Sequence, residues 1–227
     1  MTFECYSMLE KYMLSCVKKD DPAHDEQHIY RVLYAALEIA QAEQGVDYNI
    51  LIAACLLHDI GRPEQFRDPR VNHAAVGGDK AYAFLTEYGF SDGFAGRIRE
   101  CIYAHSYRKG TPPQSLEAKI LFDADKLDVA GALGIARTLT YKGQVGEPLY
   151  SILPDGTVSD GSKDESPSFF QEYKYKLEKM YSRFYTKRGT EMARERQNTA
   201  VQFYERIYQE ANGLYEAGRE RLNAVME

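Results

Sequence analysis

The run Ile50-Leu-Ile-Ala-Ala-Cys-Leu-Leu57 limits what this chain can fold into more than any other stretch. Eight consecutive residues without a polar break describe a segment enclosed on all sides, not one face of a surface helix. The run ends in His58 and Asp59, side by side, followed by Ile60, Gly61 and Arg62. An ionised carboxylate taken out of water is costly unless a partner compensates its charge. Either something neutralises Asp59, or the segment surfaces at that point.

Around this run the periodicity is helical. It predicts helices over 3–19, 26–43, 49–59, 72–88 and 93–106, one from TPPQSLEAKI to 129, and another over 130–140. Two charged helices, 168–186 and 189–217, finish the chain. In the second helix Ile29, Val32, Ala36 and Ile39 recur at three- and four-residue steps, and Gly61 with Pro63 closes the third. Residues 142–168 are rich in Gly, Pro, Ser and Asp and form one long irregular segment. This segment reads as a lid-like loop, with Tyr141, Lys142 and Tyr150 available to cover a base or sugar. No strand ladder is visible. The expected fold class is all-α, a single-domain helical bundle over 1–227, and 227 residues bury a core without staples.

Composition narrows the partners. A formal net charge of −6 argues against nucleic acid and anionic membrane as partners. No run approaches the roughly 18 apolar residues of a membrane span, and MTFECYSMLEKYM lacks the pattern of a secretion signal. The four cysteines form no CxxC pair and read as reduced packing residues, so the expected location is cytoplasmic.

Histidine is scarce: His24, His28, His58, His73 and His105 are all there are. His28 lies four residues before Val32 and eight before Ala36, so it shares that helix's apolar face and points inward. A histidine so placed is ordinarily a core residue satisfied by one hydrogen bond; His58 and Asp59 change that reading. A second anomaly is ILFDADKLDVAGALGIA, residues 120–136, where Asp125 and Asp128 share a face with Leu121 while Asp123 points nearly opposite. An inward acidic pair calls for a cation or a network of donors. Two imidazoles and two carboxylates thus come from three helices. A nitrogen-and-oxygen set without thiolate suits Mn²⁺, Mg²⁺, Fe²⁺, Ni²⁺ or Co²⁺ better than a closed structural zinc site. Periodicity alone does not choose between Asp125 and Asp128.

The stretches AHDEQHIYRV, LLHDIGR, NHAAVGGDKAYAFL, IYAHS and LFDADKLDVAGALGIART occur in the order seen in the HD-domain metal-dependent phosphohydrolase superfamily. The chain resembles that superfamily's compact bacterial branch, which includes nucleotide pyrophosphohydrolases. These motifs span residues 20–140, and the closing YTKRGTEMARERQNTAVQFYERIYQE, within 169–227, is similar to the branch's terminal helices. The resemblance implies an HD-type bundle whose divalent metal ion is held by His28, His58, Asp59 and Asp125. It casts Asp128 as support for the site and a candidate for proton transfer, and Lys126 as a phosphate-contacting lysine. His73 and His105 match pocket histidines that bind phosphate or, in two-metal members, a second ion. His24 and Arg31 flank the first ligand and hold it, with Arg31 also on the substrate side. Arg62 stands where many two-metal relatives carry another acid or histidine, which points to one catalytic metal and to Arg62 on a phosphate oxygen. The implied activity is hydrolysis of a phosphoanhydride or phosphomonoester in a small phosphorylated molecule, a nucleotide first of all. The alternatives are a di-iron oxygenase of the same fold and a nucleotide-binding sensor without turnover. No nucleic-acid or membrane partner is expected, and a homodimer is compatible with the reading.

Overall fold

The computed structural model describes residues 1–17, 25–106 and 112–226 and is all-α. Among the described residues the β-type pairing is a single bridge between Ile152 and Val158. The helices are α1 (Phe3–Cys16), α2 (Glu26–Gln41), α3 (Tyr48–Leu57), α4 (Arg62–Arg67), α5 (His73–Glu87), α6 (Asp92–His105), α7 (Leu116–Leu127), α8 (Gly131–Gln144), α9 (Phe169–Glu172) and α10 (Lys187–Met226). They fall into two compact units. One comprises Met1–Asp128 with Phe184–Glu191, the other Val129–Arg183 with Met192–Glu227.

The first unit is built around α3. Leu51, Ala53, Ala54, Cys55, Leu56 and Leu57 are fully buried, as the unbroken apolar run requires. α1, α2, α5, α6 and α7 pack around it, burying Leu9, Met13, Ile29, Val32, Ile39, Leu85, Ile98, Ile102, Ile120 and Leu121. Side-chain caps fix where the helices begin. Asp25 accepts from the His28 amide, Asp47 from Asn49 and Ile50, Asn72 from Ala74 and Ala75, and Ser115 from Ala118. The caps matter for function because they set the axial position of every histidine on those helices.

Asp123, the acid expected to face away from its neighbours, is fully buried. It accepts from the Tyr185 amide at 2.9 Å, the Thr186 amide at 2.7 Å and the Thr186 hydroxyl at 2.6 Å. It thereby anchors the 184–191 segment to α7.

Three expectations about the elements change. Gly61 and Pro63 do end α3, but Pro63 then sits in the first turn of α4, where its missing N–H costs nothing. The helix expected over 168–186 is broken into the four-residue α9, a π-helical turn at Tyr173–Leu177 and a 3₁₀ turn at Met180–Ser182. Large buried rings dominate there: Tyr173 lies flat on Tyr204 with centroids 4.0 Å apart, and Phe169 and Phe170 are fully buried. Finally α10 continues past 217 to Met226, with neither Gly213 nor Gly218 ending it.

Within the second unit, α8 takes residues 142–144 from the irregular segment, and the remainder is tied down. The Ser159 hydroxyl donates to Asp164, and the Tyr204 hydroxyl donates to the Asp160 carbonyl. Lys142, expected to be available to a ligand, is instead buried with its ammonium between Glu147 and Glu172. Two carboxylates on a buried lysine satisfy it locally and remove it from ligand binding.

Gly61 does specific work in the first unit. A Cβ there would lie 2.2 Å from the His73 carbonyl oxygen and 2.6 Å from the Gly77 nitrogen, both backbone atoms. Glycine therefore lets the turn after Asp59 press onto the start of α5. Gly96 in α6 has nothing within 4 Å of its would-be Cβ. Gly61→Ala is expected to destabilise the protein by about 3 kcal/mol from overpacking, whereas Gly96→Ala should stabilise it by about 0.5–1 kcal/mol. Urea unfolding of the two variants checks both signs.

Candidate metal centre

The helix ends of the first unit carry its chemistry. His28 is the third residue of α2, His58 follows the last residue of α3, and His73 opens α5. His105 closes α6, while Asp125 and Asp128 lie in the last turn of α7 and just beyond it. These ends meet. His28, His58 and Asp125 form one group with ligand atoms within 4.8 Å of one another, and Asp59, His73 and His105 form another.

The positions of the protons follow from the outer partners. His58 Nδ1 is 2.8 Å from the Cys55 carbonyl oxygen, which can only accept, so Nδ1 carries the hydrogen and Nε2 is bare. His28 Nδ1 donates to Asp128 Oδ2 at 2.7 Å, which leaves its Nε2 bare as well. The two bare nitrogens are 3.3 Å apart. Asp59 Oδ2 is buried without a hydrogen bond, 3.4 Å from His28 Nε2 and 3.7 Å from His58 Nε2. Asp125 Oδ1 is 3.6 Å from His28 Nε2. Four acceptors thus face one another with no donor among them, an arrangement that repels itself unless a cation sits inside. Nitrogen and oxygen ligands each about 2.1 Å from one ion stand about 3–3.5 Å from one another, so the residues present fit a divalent ion.

The electrostatics agree. Burial pushes the His58 imidazole down to about 4, which keeps it a neutral ligand near pH 7. Burial alone would raise Asp59, but the Arg62 guanidinium and the surrounding imidazoles outweigh it and hold the carboxyl well below the usual range. For Asp125, burial is likewise outweighed, there by Lys126 and the imidazoles. Burial pushes the Cys101 thiol up to about 12 and raises Cys55 too, so neither supplies a thiolate.

Each ligand is also held from behind. Arg31 forks onto Asp128, with Nε–Oδ1 2.7 Å and Nη2–Oδ2 3.0 Å, and Asp128 in turn holds His28. Lys126 Nζ donates to Asp125 Oδ2 at 2.8 Å and to the His105 carbonyl at 3.3 Å. Arg62 Nε donates to Asp59 Oδ1 at 2.9 Å. Arg62 Nη1 donates to Gln65 Oε1 at 3.2 Å, and Gln65 Nε2 donates to the Val71 carbonyl at 3.0 Å. His73 and His105 bring their Nε2 atoms to 3.3 Å from each other and to 3.6 and 3.5 Å from Asp59 Oδ1.

Of the residues singled out in the sequence, His28, His58, Asp59, Asp125, His73 and His105 therefore converge, with Asp128, Lys126, Arg62 and Arg31 directly behind them. His24 lies outside the described residues. Gln65 is not among the residues the sequence singles out; its signal is the three-residue spacing from Arg62 on α4, which lies outside the predicted helices.

Comparison with known proteins points the same way. Residues 26–130 match the family model of the HD domain. YpgQ of Bacillus subtilis is 27% identical over 210 residues, which cover 91% of this chain and 93% of YpgQ. The crystal structure of YpgQ in complex with ADP superposes with a TM-score of 0.71 at 25% identity, over 92% of this chain and 99% of that one. A predicted HD superfamily hydrolase from an uncultured Thermotogales bacterium is 30% identical, with a TM-score of 0.59 and 92% of each chain covered. An HD-superfamily hydrolase from Bacillus thuringiensis is 27% identical, with a TM-score of 0.66, 91% of this chain and 96% of that one covered.

An acceptor-only cage predicts metal-linked stability. Mn²⁺ at about 100 times its dissociation constant should stabilise the chelator-stripped protein by about 2.7 kcal/mol, raising Tm by roughly 6–10 °C for a chain of this size. A thermal melt of His58→Ala, with and without Mn²⁺, should show almost none of this gain.

Proposed function

We propose, from the premise that this chain belongs to the HD-domain phosphohydrolase superfamily and is a metal-dependent hydrolase, that its substrate is a nucleotide cleaved at a phosphoanhydride or phosphomonoester bond. The observation that carries the reading is the cage of four acceptors at 3.3–3.7 Å, backed by cationic side chains. The complex of YpgQ with ADP supports the choice of a nucleotide.

In this reading His28 Nε2, His58 Nε2, Asp59 Oδ2 and Asp125 Oδ1 hold the ion, which supplies Lewis-acid activation of water and of the phosphoryl group. Arg62 is oriented by Asp59 and Gln65, and its Nη2 has no protein partner among the described residues, so it is set to take a phosphoryl oxygen. His73 Nδ1 has no hydrogen-bond partner, so His73 can carry its proton on the inward Nε2 and donate to a phosphoryl oxygen, while His105, whose Nδ1 is bound to the Ile102 carbonyl, lines the same space. Lys126 contributes positive charge while steadying Asp125. Asp128 has both oxygens engaged by Arg31 and His28, so we assign it and Arg31 to positioning His28 rather than to proton transfer or phosphate binding.

The test is release of phosphate or pyrophosphate from a panel of nucleoside mono-, di- and triphosphates with Mn²⁺, Mg²⁺, Co²⁺, Ni²⁺ or Fe²⁺. Asp59→Ala and Asp125→Ala should lose about 10³-fold or more, equivalent to about 4 kcal/mol of transition-state stabilisation. Arg31→Ala and Asp128→Ala should lose about 10–100-fold in metal affinity or activity, as removal of a group that orients a ligand does. Undiminished turnover in both Asp59→Ala and Asp125→Ala would sink the assignment.

A further inference from the structure

His73, Gly77 and Lys80 are spaced by four and three residues, so they form one stripe along α5. The stripe faces the turn over residues 58–62 that joins α3 to α4. At its start His73 Nε2 stands 3.6 Å from Asp59 Oδ1. In its middle, a Cβ on Gly77 would lie 3.2 Å from the Gly61 nitrogen and 3.4 Å from the His58 carbonyl oxygen. The α5 backbone therefore touches the turn directly. At its far end Lys80 Nζ donates to the Ile60 carbonyl at 2.8 Å and to Glu64 Oε1 at 3.2 Å.

The Ile60 carbonyl is where the turn needs a donor. Ile60 is fully buried, and among the described residues no backbone amide donates to its oxygen. A buried carbonyl left without a donor is costly. The carbonyls at the end of α3 also carry partial negative charge, which an ammonium offsets. Because a peptide group is planar, fixing that oxygen fixes the Ile60–Gly61 plane. This plane lies between Asp59 and Arg62, whose backbones are already tied by the Arg62 amide donating to the Asp59 carbonyl at 3.0 Å. The Glu64 contact does less. Both of its side chains are 29% exposed, and ion pairs open to solvent contribute little.

We propose that Lys80 is a positioning residue of the metal centre. Its ammonium grips the Ile60 carbonyl and so holds the turn in the one setting that presents Asp59 Oδ2 to the ion and Asp59 Oδ1 to Arg62. The role rests on the metal-binding reading of His28, His58, Asp59 and Asp125, and is independent of which phosphate compound is cleaved.

The experiment is Mn²⁺ affinity of the full chain, stripped with chelator and titrated well below its melting temperature with no substrate present. Lys80→Met, which keeps the apolar stem and removes the donor, should bind Mn²⁺ about 10-fold more weakly than the wild type. Lys80→Arg, which keeps the charge and the donors, should recover most of the affinity. Lys80→Gln, neutral but still a donor, should fall between them, and it decides the matter if Lys80→Met does not fold. Glu64→Gln should bind as the wild type does. Arg97→Ala loosens the opposite end of α3, where Arg97 pairs with Asp47 at 3.0 Å, and should leave the affinity within about 2-fold. A folded Lys80→Met or Lys80→Gln with lowered Tm but unchanged Mn²⁺ affinity would reduce Lys80 to a purely structural residue and overturn the proposal. A Lys80→Arg as weak as Lys80→Met, or an equal loss in Arg97→Ala, would overturn it too. A wild type that binds no Mn²⁺ would sink the metal centre and this role with it. Absence of nucleotide turnover in a protein that shows this order of affinities would fault the substrate reading alone.

Discussion

Two imidazole nitrogens 3.3 Å apart, each with its hydrogen on the far side of the ring, do not rest against each other unaided. Two carboxylate oxygens crowd the same space. The fold must supply enough fixed structure to hold this mutual repulsion in place while leaving room for the cation that relieves it. It does so by giving every ligand an outer partner. Cys55 and Asp128 take the outer nitrogens of His58 and His28, and Arg62 and Lys126 take the outer oxygens of Asp59 and Asp125. The ligand atoms are aimed before any ion arrives, so little ordering is left for binding to accomplish.

Helix ends are the means of convergence. A ligand in mid-helix approaches a shared point only from the side of a packed cylinder, whereas residues in the first or last turn approach end-on. Starting α2 with an Asp25 cap and α5 with an Asn72 cap places His28 and His73 at such ends. The absence of a side chain at Gly61 lets the turn carrying Asp59 close onto the His73 backbone. Asp59 Oδ1 there stands 3.6 Å from His73 Nε2. The buried α3 supplies the rigid base, since helix–helix packing of this kind leaves few voids through which its end could shift.

Much of this was legible in the residues. The apolar run ending in His58 and Asp59 specified both a central helix and an anomaly at its tip, and the periodicity of α2 turned His28 inward. Asp125 and Asp128 could not be told apart, because they lie three residues apart on the same face; what separates them is that Asp125 is still within α7 while Asp128 has stepped past its end toward Arg31. Lys126 and Arg62 read as phosphate ligands, yet their nearest partners are carboxylates of the centre itself. A long side chain covers several positions from one Cα, so spacing does not reveal which one it takes. The break-up of 168–186 was hidden for another reason: it answers to stacking against Tyr204, a residue distant in sequence.

Three carboxylates of the centre are each matched by one cation: Asp59 by Arg62, Asp125 by Lys126 and Asp128 by Arg31. The protein groups are therefore balanced before an ion enters, and a divalent cation adds two positive charges that no side chain in this set offsets. Excess positive charge in a site this buried favours a ligand that brings the opposite charge with it. A phosphoryl group would do so, and it disperses that charge over several oxygens. A neutral substrate would leave the imbalance standing. The pairing of each acid with its own cation, rather than the ion alone, is what supports an anionic phosphate compound as the occupant of this site.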